Sequence, residues 1–206
     1  AVTISLAYSV GKMAEENNLV RKLASSETMG NANEIATDKT GTLTQNKMTV
    51  QSAYLEDQVV DGDTNAGLLG LKSSIDIQEA IIYNSTAFIE VDEQGNKKTS
   101  GNVTEVGLIE YLTRCGVDTE AMIAARDSSA PVFTIPFSSE RKRATTVIRH
   151  PRDESLVRVL VKGAPEIVIK YCTQMVGADG EVIELDDDKK TQITEEVQKG
   201  YASKTL

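Results

Sequence analysis

The spacing of apolar and polar residues divides the first half of the chain into helix, strand and loop candidates. Apolar positions at helical spacing predict helices, and short apolar runs predict strands. The helix candidates run from about Ile4 to Leu23 and from Ile75 to Ala87; the strand candidates are Asn33–Thr37, which ends at Asp38, and Met48–Leu55. The polar, glycine-rich stretch from Glu56 to Gly70 is interpreted as a solvated loop.

The second half of the chain is richer in strand patterns, most of them joined by short turns. Strands are predicted over Phe88–Val91, Lys97–Ser100, Val132–Phe137, Ala144–Arg149, Ser155–Val161, Met175–Val176 and Val182–Leu185, and helices over Glu105–Cys115 and about Asp186–Lys204. Asn102 and Glu105 have the spacing of a helix N-cap and its reciprocal partner. Short turns favour antiparallel neighbours, so the predicted fold is α/β, with an antiparallel sheet flanked by helices.

Composition and charge exclude some classes of function. The chain has 206 residues and a formal charge of −9, which argues against nucleic acid as a partner. Cys115 and Cys172 lie far apart without metal-ligand spacing, as expected for core residues of a reduced cytosolic domain. His150, the only histidine, precedes Pro151 in what we interpret as an exposed turn.

Three kinds of local motif resemble functional sites but are not interpreted as such. Asp61, Asp63 and Asn65 begin like a calcium-binding loop, but Ala66 and Lys72 stand where that loop needs glycine and glutamate. Asn84-Ser85-Thr86 and Asn102-Val103-Thr104 match glycosylation acceptors, yet a cytosolic domain does not meet that machinery. The run Asp186-Asp187-Asp188 is interpreted as an acidic helix start, not as a metal site.

The strongest chemical signal is the sequence DKTGTLT over residues 38–44. Asp38 would follow a strand, where open α/β sheets place their chemistry, and its carboxylate could attack the terminal phosphoryl group of ATP. Lys39 could offset charge on the transferring group, and Gly41 allows a tight turn beside a phosphate. Soluble phosphatases of the haloacid-dehalogenase type usually carry a second, acid-base aspartate at the position of Thr40, so the acyl-phosphate in this chain should persist.

Two later segments suit nucleotide binding. Phe137 is followed by the basic turn Arg141-Lys142, and an aromatic ring beside cations suits a base and phosphates. The same pattern also fits a core phenylalanine at a strand end. Lys162 to Glu166 read KGAPE, a strand that ends in a glycine turn with Pro165 in the first turn of the next helix. A P-loop and a Rossmann glycine fingerprint are both missing from the sequence.

Taken in order, these segments resemble the P-type ATPases, the cation pumps that cycle through an aspartyl-phosphate. The matching stretches are DKTGTLTQNKMTV from Asp38, GNVTE at residues 101–105, FSSERK at 137–142 and KGAPE at 162–166. Within that family the stretches AVTISLAYSVGKM, NNLVRKL and SSETMGNANEIAT most resemble the plasma-membrane type of calcium pump. The resemblance covers nearly the whole chain.

The resemblance implies roles for named residues. Asp38 would be phosphorylated with Lys39 and Thr40 beside it, and Mg²⁺ would be held by Asp38 and the backbone carbonyl of Thr40. Glu105 would accept from the adenine amino group, Phe137 would stack on the base, and Lys142 would reach the adenosine or the phosphates. The remaining pocket residues implied are Thr104, Lys162, Gly163 and Ala164. Ser139 departs from relatives that carry arginine there, which puts that contact in doubt.

The resemblance also implies an organisation. Residues 1–23 would be the cytoplasmic end of a membrane helix and its stalk, 24–47 the start of a haloacid-dehalogenase-like phosphorylation domain, and 48–206 an incomplete nucleotide-binding domain. A complete bilayer span takes about 20 apolar residues and is missing, so we expect a fragment on the cytoplasmic side of a multi-pass plasma-membrane or related organelle protein. Ala1–Val10 also fits an ordinary core helix.

The leading hypothesis is therefore a piece of an ATP-driven calcium pump that uses ATP and Mg²⁺. We expect the fragment alone to bind ATP weakly and catalyse little, and residues 1–44 to be poorly supported. The alternatives left open are a P-type pump for another ion or a lipid, a soluble phosphohydrolase of the haloacid-dehalogenase type, and a nucleotide-binding module without catalysis.

Overall fold

The computed structural model describes residues 2–62 and 65–204, and the chain forms two units, residues 1–46 and 47–206. The first unit contains helices α1 (Val2–Glu15) and α2 (Leu23–Gly30) and a wide turn over Lys39–Leu43. The predicted single helix to Leu23 is wrong because Asn17 adopts a φ of 64°. The N–H groups of Asn17 and Asn18 then bond to the carbonyls of Ala14 and Met13, which closes α1 with a Schellman motif.

The predicted strand before Asp38 does not form. Residues 33–37 have no regular secondary structure and are exposed, with Ile35 at 88 % exposure. A strand needs a neighbour for its N–H and C=O groups, and the described residues place none beside this segment. Among the side chains described in the first unit none is buried, in agreement with the expected lack of support. No helix within residues 2–62 and 65–204 is long and apolar enough to cross a membrane.

The second unit contains a hairpin whose first strand lies within the predicted strand Met48–Leu55 and whose turn and second strand lie where a solvated loop was predicted. Strand β1 (Ser52–Leu55) pairs with β2 (Gln58–Asp61), and helix α3 (Asn65–Leu69) follows. The turn residues Glu56 and Asp57 have φ values of 48° and 58°, which few residues other than glycine and asparagine adopt easily. Their side chains stabilise the turn: Glu56 accepts from the Ser73 N–H at 2.6 Å, and Asp57 accepts from Lys189 at 2.9 Å. Asp63, part of the calcium-loop motif, lies outside the described residues.

The core of this unit lies among three helices and a hairpin. The helices are α4 (Ser74–Tyr83), α5 (Val103–Arg114) and α6 (Thr119–Asp127), and the hairpin pairs β3 (Phe88–Val91) with β4 (Lys97–Ser100), as predicted. Ile82, Ile109 and Leu112 are fully buried there, and Leu68 of α3 is fully buried in the same cluster. Asn102 caps α5, accepting from the N–H groups of Thr104 and Glu105, but the Glu105 carboxylate is used elsewhere and makes no capping box with it.

The largest sheet contains the three antiparallel strands that the sequence predicts. Strands β5 (Phe133–Ser138), β6 (Arg143–His150) and β7 (Asp153–Gly163) lie in that order. Alternation along β6 and β7 buries Ala144, Ile148 and Leu160. His150 ends β6 half-buried, with Nε2 3.0 Å from Arg158, so its predicted place in an exposed turn is wrong.

Shorter elements complete the chain. They are α7 (Pro165–Val168) with a 3₁₀ turn (Ile169–Tyr171), β8 (Gln174–Val176) paired with β9 (Val182–Glu184), α8 (Asp187–Gln192), a widened helical segment (Ile193–Gln198) and α9 (Lys199–Ala202). Asp186 caps α8 through the Lys189 N–H at 2.7 Å, which agrees with an acidic helix start. The mixed α/β fold with antiparallel sheets is confirmed, whereas the strand of a haloacid-dehalogenase-like domain is not observed.

Candidate functional site

The segment DKTGTLT forms a compact exposed turn. Thr40 (φ −80°, ψ 121°) and Gly41 (φ 81°, ψ −4°) have the angles of a type II turn, which favours glycine at its second central position. The Thr44 hydroxyl donates to the Lys39 carbonyl at 3.3 Å and accepts from the Gly41 N–H at 3.4 Å. Asp38 stands at the head of the turn and accepts from the Lys39 N–H at 2.7 Å. The turn therefore presents Asp38, Lys39 and Thr40 together to solvent.

This turn offers few ligands for a metal ion. The described residues contain no group of three or more His, Cys, Asp or Glu side chains placed to hold one. The Asp38 carboxylate and the Thr40 carbonyl could supply two of the six oxygens that Mg²⁺ takes, and water and phosphate oxygens would have to supply the others. The two donors thus fit the hard oxygen chemistry of Mg²⁺ but do not form a complete site.

The second unit contains a cavity of about 660 Å³ bounded by α4, α5, α6 and the face of the β5–β6–β7 sheet that carries Lys162. Its apolar wall includes the rings of Tyr83 and Phe137, while charged and amide side chains converge from other elements. A mainly apolar cavity with a few polar groups is typical of sites for small ligands. The lining residues are Tyr83, Asn84, Ser85, Thr86, Glu105, Arg126, Asp127, Ser129, Ala130, Pro131, Thr134, Pro136, Phe137, Ala144, Thr146, Ile148 and Lys162.

Glu105 is the most highly bonded side chain in the cavity. Its Oε2 accepts from the Thr86 N–H at 2.8 Å, the Thr86 hydroxyl at 3.0 Å and the Ser85 hydroxyl at 3.1 Å. Its Oε1 forms an ion pair with Lys162. Burial opposes the charged form, but hydrogen bonds from Lys162 and Thr86 outweigh it and hold the pKa of Glu105 below its usual range. The carboxylate is therefore fixed in its ionised form.

Lys162 contacts the Glu105 carboxylate from strand β7 of the sheet. It lies near the end of β7, and its ammonium group donates both to Glu105 and to the carbonyl oxygen of Asn84. Asn84 is the C-cap residue of α4, where cations interact favourably with the helix dipole. The Lys162 side chain keeps 36 % exposure, so these contacts leave it only partly buried.

Phe137 forms part of the wall with its ring largely in solvent. It lies near the end of β5, where the register with β6 is irregular between Ile135 and Ser138. The residue is 60 % exposed, although phenylalanine is normally buried. The alternative interpretation of Phe137 as a core residue is therefore wrong, and the exposed ring can stack on a planar group.

Four residues named from the sequence do not line the cavity. Thr104 is exposed, and its N–H bonds to the Asn102 cap. Lys142 is exposed with a φ of 53° in the turn after β5, and its carbonyl accepts from the Ala164 N–H at 3.0 Å. Gly163 serves strand packing, because a methyl group there would come within 2.4 Å of the Lys142 carbonyl oxygen. The structure thus unites only Glu105, Phe137 and Lys162 of the predicted pocket.

The cavity also contains residues that the sequence did not suggest. Ser85 and Thr86 supply the donors to Glu105, and Arg126 donates to the Ser85 carbonyl at 3.0 Å. The only sequence signal for these residues is the run of small polar residues after α4, which also matches a glycosylation acceptor. Pairing of that run with Glu105, 20 residues further along the chain, is a tertiary contact without a local pattern.

Comparison with known proteins places this architecture in a family. Residues 76–206 match the family described as P-type ATPase, cytoplasmic domain N. The chain is 36 % identical over 189 residues to Calcium-transporting ATPase 10, plasma membrane-type, of Arabidopsis thaliana, covering 92 % of the chain and 17 % of that protein. It is 37 % identical over 204 residues to Plasma membrane calcium-transporting ATPase mca-1 of Caenorhabditis elegans, covering 94 % and 16 %.

A third relative is Plasma membrane calcium-transporting ATPase 2 of Oreochromis mossambicus, 40 % identical over 185 residues. That match covers 88 % of the chain and 16 % of the relative. The chain therefore spans about a sixth of the length of the curated relatives described here.

Proposed function

Because this chain belongs to the P-type ATPases, in the family of their cytoplasmic domain N, we propose that it is a fragment of an ATP-driven calcium pump. In this proposal the cavity of the second unit binds ATP, and Asp38 becomes an aspartyl-phosphate during the cycle. The proposal covers the activity of the whole protein, of which this chain is one part.

The observation that supports it best is the convergence of Glu105, Phe137 and Lys162 on one cavity. They belong to α5, β5 and β7, far apart in the sequence, and each lies in a segment that resembles the family. The exposed Phe137 ring can stack on adenine. The fixed Glu105 carboxylate can accept a hydrogen bond from the adenine amino group, and the partly exposed Lys162 side chain can turn its ammonium group toward the bound nucleotide.

The other predicted nucleotide residues take supporting roles in this proposal. Lys142 lies outside the cavity, but it is exposed in the turn that follows the Phe137 strand and could reach phosphates beyond the cavity mouth. Thr104, at the start of α5, would contact the ligand only at its edge. Gly163 and Ala164 would keep the chain close to Lys142 rather than touch the nucleotide.

The chemistry proposed for Asp38 is phosphoryl transfer. A carboxylate oxygen attacks the terminal phosphorus of ATP, the bond from that phosphorus to the bridging oxygen breaks, and ADP leaves with its electron pair. Water later attacks the acyl-phosphate, releasing phosphate and restoring the carboxylate. Lys39 would offset charge on the transferring group, and Thr40 would supply no acid-base catalysis. Mg²⁺, held in part by Asp38 and the Thr40 carbonyl, would neutralise the phosphate oxygens.

Calcium transport and membrane location are proposed from the relatives. The three relatives above are named as plasma-membrane calcium-transporting ATPases. We accordingly propose calcium ion as the transported substrate, a multi-pass plasma-membrane or related organelle location for the whole protein, and the cytoplasmic side for this region. The identity of the ion would be tested in the whole pump by calcium uptake into sealed vesicles.

Nucleotide binding is tested by ATP titration of the 206-residue chain, followed through amide chemical shifts. We expect saturable shifts at Thr86, Glu105 and Phe137. Binding should be about 5- to 150-fold weaker in Phe137→Ala, because base stacking contributes about 1–3 kcal/mol. Phe133→Ala is the matched control: Phe133 lies on the same strand at 59 % exposure but outside the cavity lining. Equal losses in both variants, or no shifts in the folded parent chain, would contradict the proposed site.

The role of Asp38 requires a complete pump that carries this region. Labelling with ATP that is radioactive in its terminal phosphate should give a hydroxylamine-sensitive phosphoprotein, and Asp38→Asn should abolish it. Glu34→Gln, which removes an exposed carboxylate from the same segment, should leave it intact. Undiminished labelling of Asp38→Asn would refute the proposed nucleophile. If neither the parent pump nor Asp38→Asn is labelled, and both transport equally well, the result would instead favour a nucleotide-binding module without catalysis.

A further inference from the structure

The loop after α4, residues 84–86, is held by two cations and one carboxylate. Lys162 donates to the carbonyl oxygen of Asn84, and Arg126 donates to the carbonyl oxygen of Ser85. On the other side, the hydroxyls of Ser85 and Thr86 and the Thr86 N–H all donate to Glu105. Any displacement of this loop would therefore move the donors that fix the Glu105 carboxylate.

Arg126 is built into this arrangement from a different element than Lys162. It lies in the last turn of α6, with a side chain that is only 12 % exposed. Its Nε donates to Asp127 at 2.8 Å, and its Nη1 donates to the Ser85 carbonyl at 3.0 Å. Two partners on different sides of the guanidinium leave it little freedom to turn, which suits a fixed support.

The two cations differ in what a ligand would do to them. If Lys162 turns toward a bound nucleotide, it gives up part of its contact with Asn84 and Glu105. Arg126 binds the loop through Ser85 and does not contact Glu105, so its hold does not depend on the movement of Lys162. Arg126 is thus the support that can remain when the site is occupied.

We propose that Arg126 is a positioning residue of the nucleotide site, which acts through the Ser85 carbonyl to keep the Glu105 carboxylate aimed at the base. The identity of the ligand in this inference rests on the proposed function. A carboxylate held as a pure acceptor favours a base with an amino group over one with a carbonyl oxygen at the same position. Arg126 would therefore contribute to the discrimination of ATP from GTP.

The test compares Arg126→Gln and Arg126→Lys with Arg114→Gln in the 206-residue chain. Arg114 donates to the Val50 carbonyl at 3.2 Å outside the cavity lining, which makes it a matched control. The first measurement is amide hydrogen exchange without nucleotide. The exchange rate of the Thr86 N–H is compared with that of the Ile77 N–H inside α4. This ratio should rise about tenfold in Arg126→Gln and stay near the parent value in Arg114→Gln. In Arg126→Lys the ratio should return part of the way to the parent value.

The second measurement is the affinity for ATP and for GTP in the same variants. Arg126→Gln should weaken ATP binding about five- to tenfold and GTP binding much less, so that the affinity ratio falls. A folded Arg126→Gln variant with unchanged Thr86 exchange, or with both affinities reduced equally, overturns the positioning role. A parent chain that binds neither nucleotide refutes the proposed function in this chain, while selective acceleration at Thr86 would still support the role of Arg126 in holding Glu105.

Discussion

Replacement of Glu105 by glutamine tests whether its ionised carboxylate stabilises the fold. Glutamine keeps the shape but offers one acceptor oxygen and one NH₂ donor group where glutamate offers two acceptor oxygens. If the oxygen remains toward Ser85 and Thr86, the new NH₂ group faces the Lys162 ammonium. If the amide is turned the other way, the donors of Ser85 and Thr86 lose their acceptor. Either orientation leaves donors facing donors.

The magnitude follows from the exposure of the partners. The Glu105 side chain is 11 % exposed and Lys162 is 36 % exposed, so solvent screens the ion pair and we assign it about 1 kcal/mol at most. One unsatisfied donor beside a largely buried group costs about 1–3 kcal/mol. We therefore expect Glu105→Gln to lower the free energy of unfolding by about 2 kcal/mol at pH 7, which corresponds to a urea midpoint shift of about 1 M.

The same reasoning fixes the pH dependence. Burial opposes ionisation of Glu105, but the hydrogen bonds from Lys162 and Thr86 prevail and lower its pKa in the folded chain. A lowered folded pKa means that the stabilisation is complete above the pKa of an unfolded glutamate, about 4.3, and is lost as pH falls through the folded pKa. The stability difference between the parent chain and Glu105→Gln should therefore be full at pH 7 and shrink progressively below about pH 4.

Urea unfolding at pH 7 and at several values below pH 4.5 measures this difference. Glu120→Gln is the control, because Glu120 pairs with Lys97 between side chains that are both more than half exposed, and its loss should cost under about 0.5 kcal/mol at any pH. A Glu105→Gln effect as small as that of the control, or one that stays constant across this range, would refute the assigned bonding of the carboxylate.

Two further predictions concern residues of strand β7. Arg158→Met should lower the free energy of unfolding by about 3 kcal/mol, because it leaves the largely buried Glu79 carboxylate without its close partner. Arg152→Met should cost under about 1 kcal/mol, because the Arg152 side chain is half-exposed and lies 3.4 Å from the Glu79 carboxylate. Equal losses in urea unfolding would contradict this order. Gly163→Ala should destabilise by about 1–3 kcal/mol in thermal unfolding, because its methyl group would meet backbone at 2.4 Å, while Gly200→Ala, with nothing within 4 Å, should be neutral or stabilising.

The parts of the fold that the sequence predicted well are those coded by local patterns. Strands β5, β6 and β7 and the β3–β4 hairpin lie close to the predicted positions, because their alternation and turn residues are local signals. The Asn102 cap is correct for the same reason. The turn and second strand of the β1–β2 hairpin are not predicted, because the unusual turn at Glu56–Asp57 is stabilised by Ser73 and Lys189, which lie far along the chain.

The candidate site shows the same division. Glu105, Phe137 and Lys162 were found because each stands in a motif that resembles a family. Ser85, Thr86 and Arg126 were missed, since their contribution depends on how α4 and α6 meet α5. The strand predicted at residues 33–37 does not form, because a short segment is a stable strand only when other strands pair with it.

The wide spacing in sequence of the cavity residues has a consequence for folding. Thr86, Glu105, Phe137 and Lys162 come together only when both the helical layer and the sheet have formed, so the cavity is built from long-range contacts that arise late. A ligand that binds such a cavity binds the native state and not the unfolded chain. At a ligand concentration 100 times the Kd, this linkage would add about 2.7 kcal/mol to the stability of the second unit. In the proposed function, the nucleotide concentration would therefore shift the folding equilibrium of this part of the chain.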